Sequence, residues 1–155
     1  MDIRQLQKNE ALPMGLLLEA DPSKELIQEY AANGFCYVAQ QQGESIGAYI
    51  LLPLNTTTIE IKNIAIAASQ RGKGYGKKLV EHALSEAARM RYKTVEIGTG
   101  NSSLDQLALY QKCGFRVLGI DRDFFIRNYP EPIFENGIQC RDMIRLEFKT
   151  ETSFI

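Results

Sequence analysis

The chain has one histidine, His82, no tryptophan, and three cysteines, Cys36, Cys113 and Cys140, in 155 residues. A single imidazole disfavours most metal-ligand sets and any Ser-His-Asp arrangement, because such sites draw on positioned histidines. An odd number of cysteines without a Cys-x-x-Cys spacing suggests neither a disulfide framework nor a zinc knuckle, so free thiols and no metal are expected. No run of about 18 apolar residues occurs, and the first ten residues lack a signal-peptide core; a soluble, cytoplasmic protein without membrane contacts is expected. Eighteen basic against nineteen acidic residues leave a formal charge of -1, which argues against broad adhesion to nucleic acid or anionic lipid. Repeats, linkers and low-complexity tracts are lacking too. With 45% hydrophobic and 24% charged residues, the composition suits one domain over residues 1–155. At this length about 70% of the unfolded chain's surface is buried on folding, so a core needs no covalent staple.

The pattern predicts a mixed α/β order. Residues 1–6 read as a strand and 14–30 as helix, divided at Asp21-Pro22-Ser23, with Asp21 or Ser23 capping the second piece. Asn33-Gly34 closes that helix. Residues 35–39, 45–54 and 56–66 read as an antiparallel meander, its first turn at Gln42-Gly43-Glu44. A helix over 75–90 places Leu79, Val80, Ala83, Leu84 and Ala87 inward and Lys77, Lys78, Glu81, His82, Ser85 and Glu86 on its wet side. The strand at 94–98 is then parallel to the one before the helix. A short helix over 103–112 stops at Gly114, and two strands, 115–126 and 139–148, flank a loop containing Asn136-Gly137.

The sharpest local feature is Gln70-Arg71-Gly72-Lys73-Gly74-Tyr75-Gly76-Lys77-Lys78, between a strand and an amphipathic helix. Its glycines allow a tight turn and close approach, and the unpaired N–H groups at the helix entrance converge on an anion, aided by the helix dipole. Residues 71–78 hold four cations and no carboxylate, against fourteen cations and nineteen acids elsewhere. A Walker loop fails, since Arg71 stands where its first glycine belongs and Lys78 where its hydroxyl belongs. The dinucleotide fingerprint fails too, because Lys77 or Leu79 occupies the third glycine position. Taken alone, the loop is also compatible with a capped helix and a solvated basic turn.

Arg71-x-x-Gly74-x-Gly76, after a strand ending Ile64-Ala65-Ile66, resembles the acyl-CoA loop of the GCN5-related N-acetyltransferase (GNAT) superfamily. A second motif, Asn101 followed by Tyr110-Gln111-Lys112-Cys113-Gly114-Phe115, resembles the later Asn and Tyr-x-x-x-Gly-Phe signature of that family. The segment Asn128 to Gly137 is similar to a subgroup of bacterial members. The resemblance implies a mostly antiparallel seven-stranded sheet flanked by helices, with the fourth and fifth strands splayed around acetyl-CoA. It implies that Arg71, Gly72, Lys73, Gly74, Tyr75 and Gly76 hold the pyrophosphate, that Ile64, Ala65 and Ile66 pair with the pantetheine arm, and that Asn101 and Tyr110 complete the cofactor site.

The implied reaction is direct transfer of acetyl to a primary amine. A lysine-type amine with a pKa of about 10.4 is free base in roughly one molecule in two thousand near neutrality, a deficit of about 4.6 kcal/mol, so a proton acceptor is useful. Glu60 matches the family position from which histone-type members supply a carboxylate base. Strand alternation puts Glu60, Lys62, Ile64 and Ile66 on one face; the other reading of Glu60 is an exposed edge charge, paired with Lys62 or elsewhere. Tyr110 matches the tyrosine that protonates the departing sulfur, or else is a core-edge aromatic. Asn101 has an ordinary capping explanation as well. In the last third, Tyr129, Glu131 and Glu135, with Asp121 and Asp123, form an acidic and aromatic segment suited to a cationic acceptor, or are surface charges of a long hairpin. Cys113 has no histidine near it in sequence, and the family transfers acyl groups directly, so a covalent cysteine is not expected. The expected partners are a small-molecule or peptide amine, with no nucleic acid and no membrane; a homodimer is compatible. The rival readings are a noncatalytic acyl-CoA-binding module and a nucleic-acid contact protein using Lys73, Lys77 and Lys78.

Overall fold

The computed structural model describes residues 1–150. The elements run β1 (Asp2–Gln5), α1 (Met14–Ala20), α2 (Lys24–Ala32), β2 (Phe35–Gln41), β3 (Glu44–Pro53), β4 (Thr58–Ile66), α3 (Tyr75–Arg89), β5 (Thr94–Gly100), α4 (Leu104–Lys112), β6 (Arg116–Asp121), α5 (Phe124–Asn128), β7 (Ile133–Glu135), β8 (Ile138–Cys140) and β9 (Met143–Lys149). Seven strands form one sheet in the order β1-β2-β3-β4-β5-β9-β6, and β7 and β8 form a separate hairpin. The β4–β5 pair is parallel and its neighbours are antiparallel, in agreement with the expected mixed sheet. Among the described residues no helix is long and apolar enough to cross a membrane.

Helices cover both faces of the sheet. On one face α3 packs Leu79, Val80, Ala83 and Ala87 against Tyr37, Tyr49, Ile59, Ile61, Val95 and Ile97. On the other, Leu17 of α1 and Ile27 and Tyr30 of α2 pack on Cys36, Val38, Ala48 and Ile50. Residues 46–51 of β3 are therefore buried on both faces, which is why that run is apolar without alternation. Each large aliphatic side chain so buried contributes about 1.5–3 kcal/mol relative to exposure. Ser23 caps α2 by accepting the Leu26 N–H at 3.2 Å. Gly34 is not left-handed; it is needed because a Cβ there would stand 2.5 Å from the Leu51 carbonyl oxygen.

Three expectations require correction. His82 and Glu86 are only partly exposed and are tied to the sheet: Tyr49 and His82 share a 2.7 Å hydrogen bond, and the Tyr37 hydroxyl donates to Glu86 Oε1 at 2.9 Å. The two tyrosine rings stack with centroids 4.6 Å apart, so their hydroxyls reach α3 together. The strand expected over 115–126 ends at Asp121, where Asp123, with a left-handed φ of 63°, starts the short helix α5. The strand expected over 139–148 is split between β8 and β9, because Arg141 and Asp142 donate their N–H groups to Asn101 Oδ1 at 2.7 and 2.9 Å instead of continuing a ladder.

Candidate functional site

The strands β4 and β5 are joined only from Thr58↔Thr94 to Ile61↔Ile97. Beyond that point β4 runs on against β3 to Ile66 and β5 runs on against β9 to Gly100. This splay leaves the last turn of β4 without a strand on its β5 side, so backbone groups there are open to an extended ligand. A bulge accompanies it: β3 pairs Ile50 with Asn63 and Leu51 with Ile61, leaving Lys62 as the extra residue of β4.

The bulge changes which side chains share a face. Ile59 and Ile61 belong to the α3-side core, and Ile64 and Ile66 pack against the same cluster. Glu60, Asn63 and Ala65 face the side of α1 and α2. The expected grouping of Glu60 with Ile64 and Ile66 therefore does not hold, since one inserted residue inverts the alternation after it. Lys62 does not pair with Glu60 either; its Nζ lies 5.8 Å from the centre of the Tyr30 ring.

A cleft of about 390 Å³ runs along the splay. It is lined by Ile64, Ala65 and Ile66 of β4, by Arg71, Gly72, Gly74, Tyr75 and Gly76 of the loop, and by Tyr110 of α4. Gly72 and Gly74 have φ of 78° and 82°, where a side chain is strained, and nothing lies within 4 Å of a Cβ at either position, so backbone conformation alone selects glycine. Gly74 is the N-cap of the 15-residue α3, whose first turn carries no acid and whose cap has no side-chain hydrogen bond. The helix entrance thus presents free N–H groups into the cleft, and Lys77 of the next turn also lines it. Arg71 is held by Glu19 at 3.4 Å, an exposed pair of small energetic weight.

Tyr110 is 4% exposed, and its hydroxyl has no hydrogen-bond partner among the described residues, although the ring lines the cleft. Burial, with a smaller contribution from Cys113, raises its ionisation above tyrosine's ordinary value, so the group keeps its proton at neutral pH. Burial also raises the Cys113 thiol, which fits the expectation that it is no nucleophile.

Across the sheet from this cleft stand the acids. Glu60 of β4, Glu96 of β5 and Glu147 of β9 are consecutive partners in register, so three carboxylates line one face side by side. Glu60 is 6% exposed and has Arg145 Nη1 at 3.6 Å. Beside it, Asn63 Nδ2 donates to the Leu17 carbonyl at 3.0 Å and to the Tyr30 hydroxyl at 2.9 Å. Tyr30 and Tyr129 in turn donate to the two oxygens of Asp21 at 3.0 and 2.9 Å.

The expected site residues therefore divide. Nine of the cofactor group line one cleft, whereas Lys73 and Asn101 do not. Lys73 donates to Gln70 at 3.2 Å, and Asn101 spends its amide on Gln139 and its oxygen on Arg141 and Asp142, so it holds the β8–β9 junction. Tyr129 reaches the polar network, Glu135 accepts from Ser103 Oγ at 2.7 Å at the start of α4, and Glu131 is exposed. Unforeseen cleft residues include Glu19, Ala20, Asp105 and Gln106. Gln106 lies four residues before Tyr110, one helical turn, a spacing that would have found it. Nothing in sequence linked Asp21 to Tyr129.

Residues 3–115 match the family model described as Acetyltransferase (GNAT) family. The chain is 56% identical over 131 residues, 84% of each protein, to the N-acetyltransferase YvbK of Bacillus subtilis (strain 168), which bears the label uncharacterized. It superposes on a GNAT family acetyltransferase from Elizabethkingia anophelis with acetyl-CoA bound, with a TM-score of 0.94, 48% identity, and 96% and 97% of the two chains covered. A Bacillus subtilis acetyltransferase in complex with CoA gives a TM-score of 0.90 and 51% identity over 95% and 97% of the chains.

Proposed function

The chain belongs to the GNAT acetyltransferase family, and from that premise we propose that it transfers acetyl from acetyl-CoA to a primary amine by direct attack, with donor and acceptor meeting at the β4–β5 splay. The observation that carries this reading is the single cleft linking the glycine-lined entrance of α3, the open edge of β4 and the free Tyr110 hydroxyl. The fit to acetyl-CoA is chemical: the entrance offers N–H donors to a diphosphate, and Arg71 and Lys77 add positive charge. Ile64, Ala65 and Ile66 offer an extended backbone to the amide groups of a pantetheine arm. Acetyl-CoA supplies the activated acetyl thioester and a thiol leaving group.

Tyr110 holds a proton at its hydroxyl oxygen inside the cleft, ready for the departing sulfur. Its raised ionisation makes it a hydrogen-bond donor throughout the working pH range. A backbone N–H near Ile66 is the donor to charge developing on the carbonyl oxygen. Glu60 accepts the proton of the amine, directly or through water, and Arg145 positions it. The row Glu60, Glu96 and Glu147 and the half-buried Tyr129 and Asp21 pair favour an acceptor that is cationic before it reacts, a small amine or a peptide amine. Glu131 and Glu135 lie farther out on the same segment; Glu135 is already bonded to Ser103, so its part is to fix the loop.

The test is thiol release from acetyl-CoA across a panel of diamines, amino acids, aminoglycosides and peptides. Amine-dependent release is expected, strongest for acceptors with a second positive charge. Tight acetyl-CoA binding without release on any amine would favour the noncatalytic module, and no binding would overturn the placement of the donor.

A further inference from the structure

The last strand in the sheet order, β6, pairs with β9 along one edge and, among the described residues, has no strand on the other. Its side chains Val117, Leu118 and Ile120 are 54%, 49% and 59% exposed. An open edge offers unpaired N–H and C=O groups, and lysine or proline normally blunts it; the sequence Arg116-Val117-Leu118-Gly119-Ile120-Asp121 has neither.

The strand carries one bulge. Val117 is opposite Leu146 and Gly119 is opposite Arg145, so Leu118 is the extra residue. In consequence Arg116, opposite Glu147, and Asp121, opposite Met143, lie on one face, while Val117, opposite Leu146, and Ile120, opposite Ile144, lie on the other. Without the bulge, positions five apart would face opposite ways.

That arrangement is self-complementary. A twofold axis normal to a sheet keeps every side chain on its own face, so a strand pairs antiparallel with its own copy only where opposed residues share a face. Centred between Leu118 and Gly119, such a pairing sets Arg116 against Asp121 of the second copy and Val117 against Ile120 of the second copy. Two charge pairs then close one face, and a cluster of four β-branched side chains closes the other. Arg116 makes no ion pair among the described residues. Asp121 holds Arg127 at 2.8 Å through Oδ1, which leaves Oδ2 for a second guanidinium.

We propose that the chain forms a twofold homodimer through antiparallel pairing of β6 with β6 of a second copy, continuing the seven-stranded sheet across the axis. Sedimentation equilibrium of the full chain is expected to show a dimer. Ile120→Lys is expected to give single chains that still bind acetyl-CoA, which shows that the variant is folded. Arg116→Asp and Asp121→Arg, each alone, oppose like charges twice and are expected to weaken dimerisation roughly tenfold. An equimolar mixture of these two variants restores both charge pairs and is expected to recover the dimer. A monomeric wild type at the highest soluble concentration, a dimer that survives Ile120→Lys, or a mixture no tighter than its components would each overturn the proposal.

Discussion

In the proposed reaction the two faces of β4 offer the two substrates different physical means of recognition. Toward α3 the strand presents Ile59, Ile61, Ile64 and Ile66, an apolar floor beside a loop whose recognition groups are main-chain amides. Toward α1 and α2 it presents Glu60, Asn63 and Ala65, and recognition there rests on charged and hydrogen-bonded side chains. Backbone recognition depends on chain geometry and tolerates many side chains; side-chain recognition depends on partners brought from distant parts of the chain. One face suits a donor common to a whole family, the other an acceptor particular to one member.

Tyr110→Phe probes the meeting point of the two faces and carries the largest expected effect. Removing one hydroxyl at the sulfur is expected to lower kcat on the order of a hundredfold, with acetyl-CoA affinity nearly unchanged. Because burial holds the phenol protonated, no loss of wild-type activity from its ionisation is expected below pH about 10. Equal losses in kcat and affinity, measured by steady-state kinetics and calorimetry, would assign Tyr110 to packing.

Next comes Asp21→Ala, which strikes only the acceptor face. It strips the acceptor from the Tyr30 and Tyr129 hydroxyls, both half-buried, and unsatisfied polar groups of that kind cost about 2 kcal/mol. Urea unfolding is expected to show that loss, and the acceptor KM to rise while acetyl-CoA binding persists. Matching changes on both substrates would mean that the two faces are not separable.

Glu60→Gln is expected to reduce the neutral-pH rate about tenfold, with recovery at high pH where the amine is already deprotonated. A uniform loss at every pH would make Glu60 a positioning residue for Arg145 instead of a base.

These residues also show what was readable beforehand. The donor side is local: strand, glycine loop and helix entrance fall within residues 64–80, and helical periodicity and motif spacing carry them directly. On the acceptor side, Asp21, Tyr30, Asn63 and Tyr129 are joined across as many as 108 positions, and no local pattern announces such pairs. Alternation also misplaced Glu60, because a bulge at Lys62 is a property of the β3–β4 pair and not of either strand's own sequence. In the tail, the strand read over 115–126 stops where Asp123 takes a left-handed φ and α5 begins, and the strand read over 139–148 breaks where Asn101 captures the N–H groups of Arg141 and Asp142.

Gly74→Ala tests the donor face alone. A Cβ meets no atom there, so the cost is the left-handed φ of 82°, about 1 kcal/mol. Acetyl-CoA binding is expected to weaken roughly fivefold if the helix entrance shifts to relieve that strain, with acceptor KM unaltered. An undiminished affinity would separate the glycine's conformation from its proposed hold on the diphosphate.

The smallest effect lies behind the donor face, where His82 anchors α3 to the sheet. Tyr49 is buried and its ionisation is raised by that burial, so its O–H donates and His82 Nδ1 accepts. Burial lowers the His82 pKa below its ordinary 6.5, only partly opposed by the nearby Glu86. The unfolded chain therefore takes up a proton at higher pH than the folded one. The associated stability is full above pH 6.5 and declines as pH falls from there toward the folded value. Thermal melts at several pH values should show a modest fall in Tm on acidification across this window. His82→Gln should flatten that part of the slope while acetyl-CoA affinity stays constant. A slope unchanged by the substitution would place the pH sensitivity in other groups and leave the donor face indifferent to its only histidine.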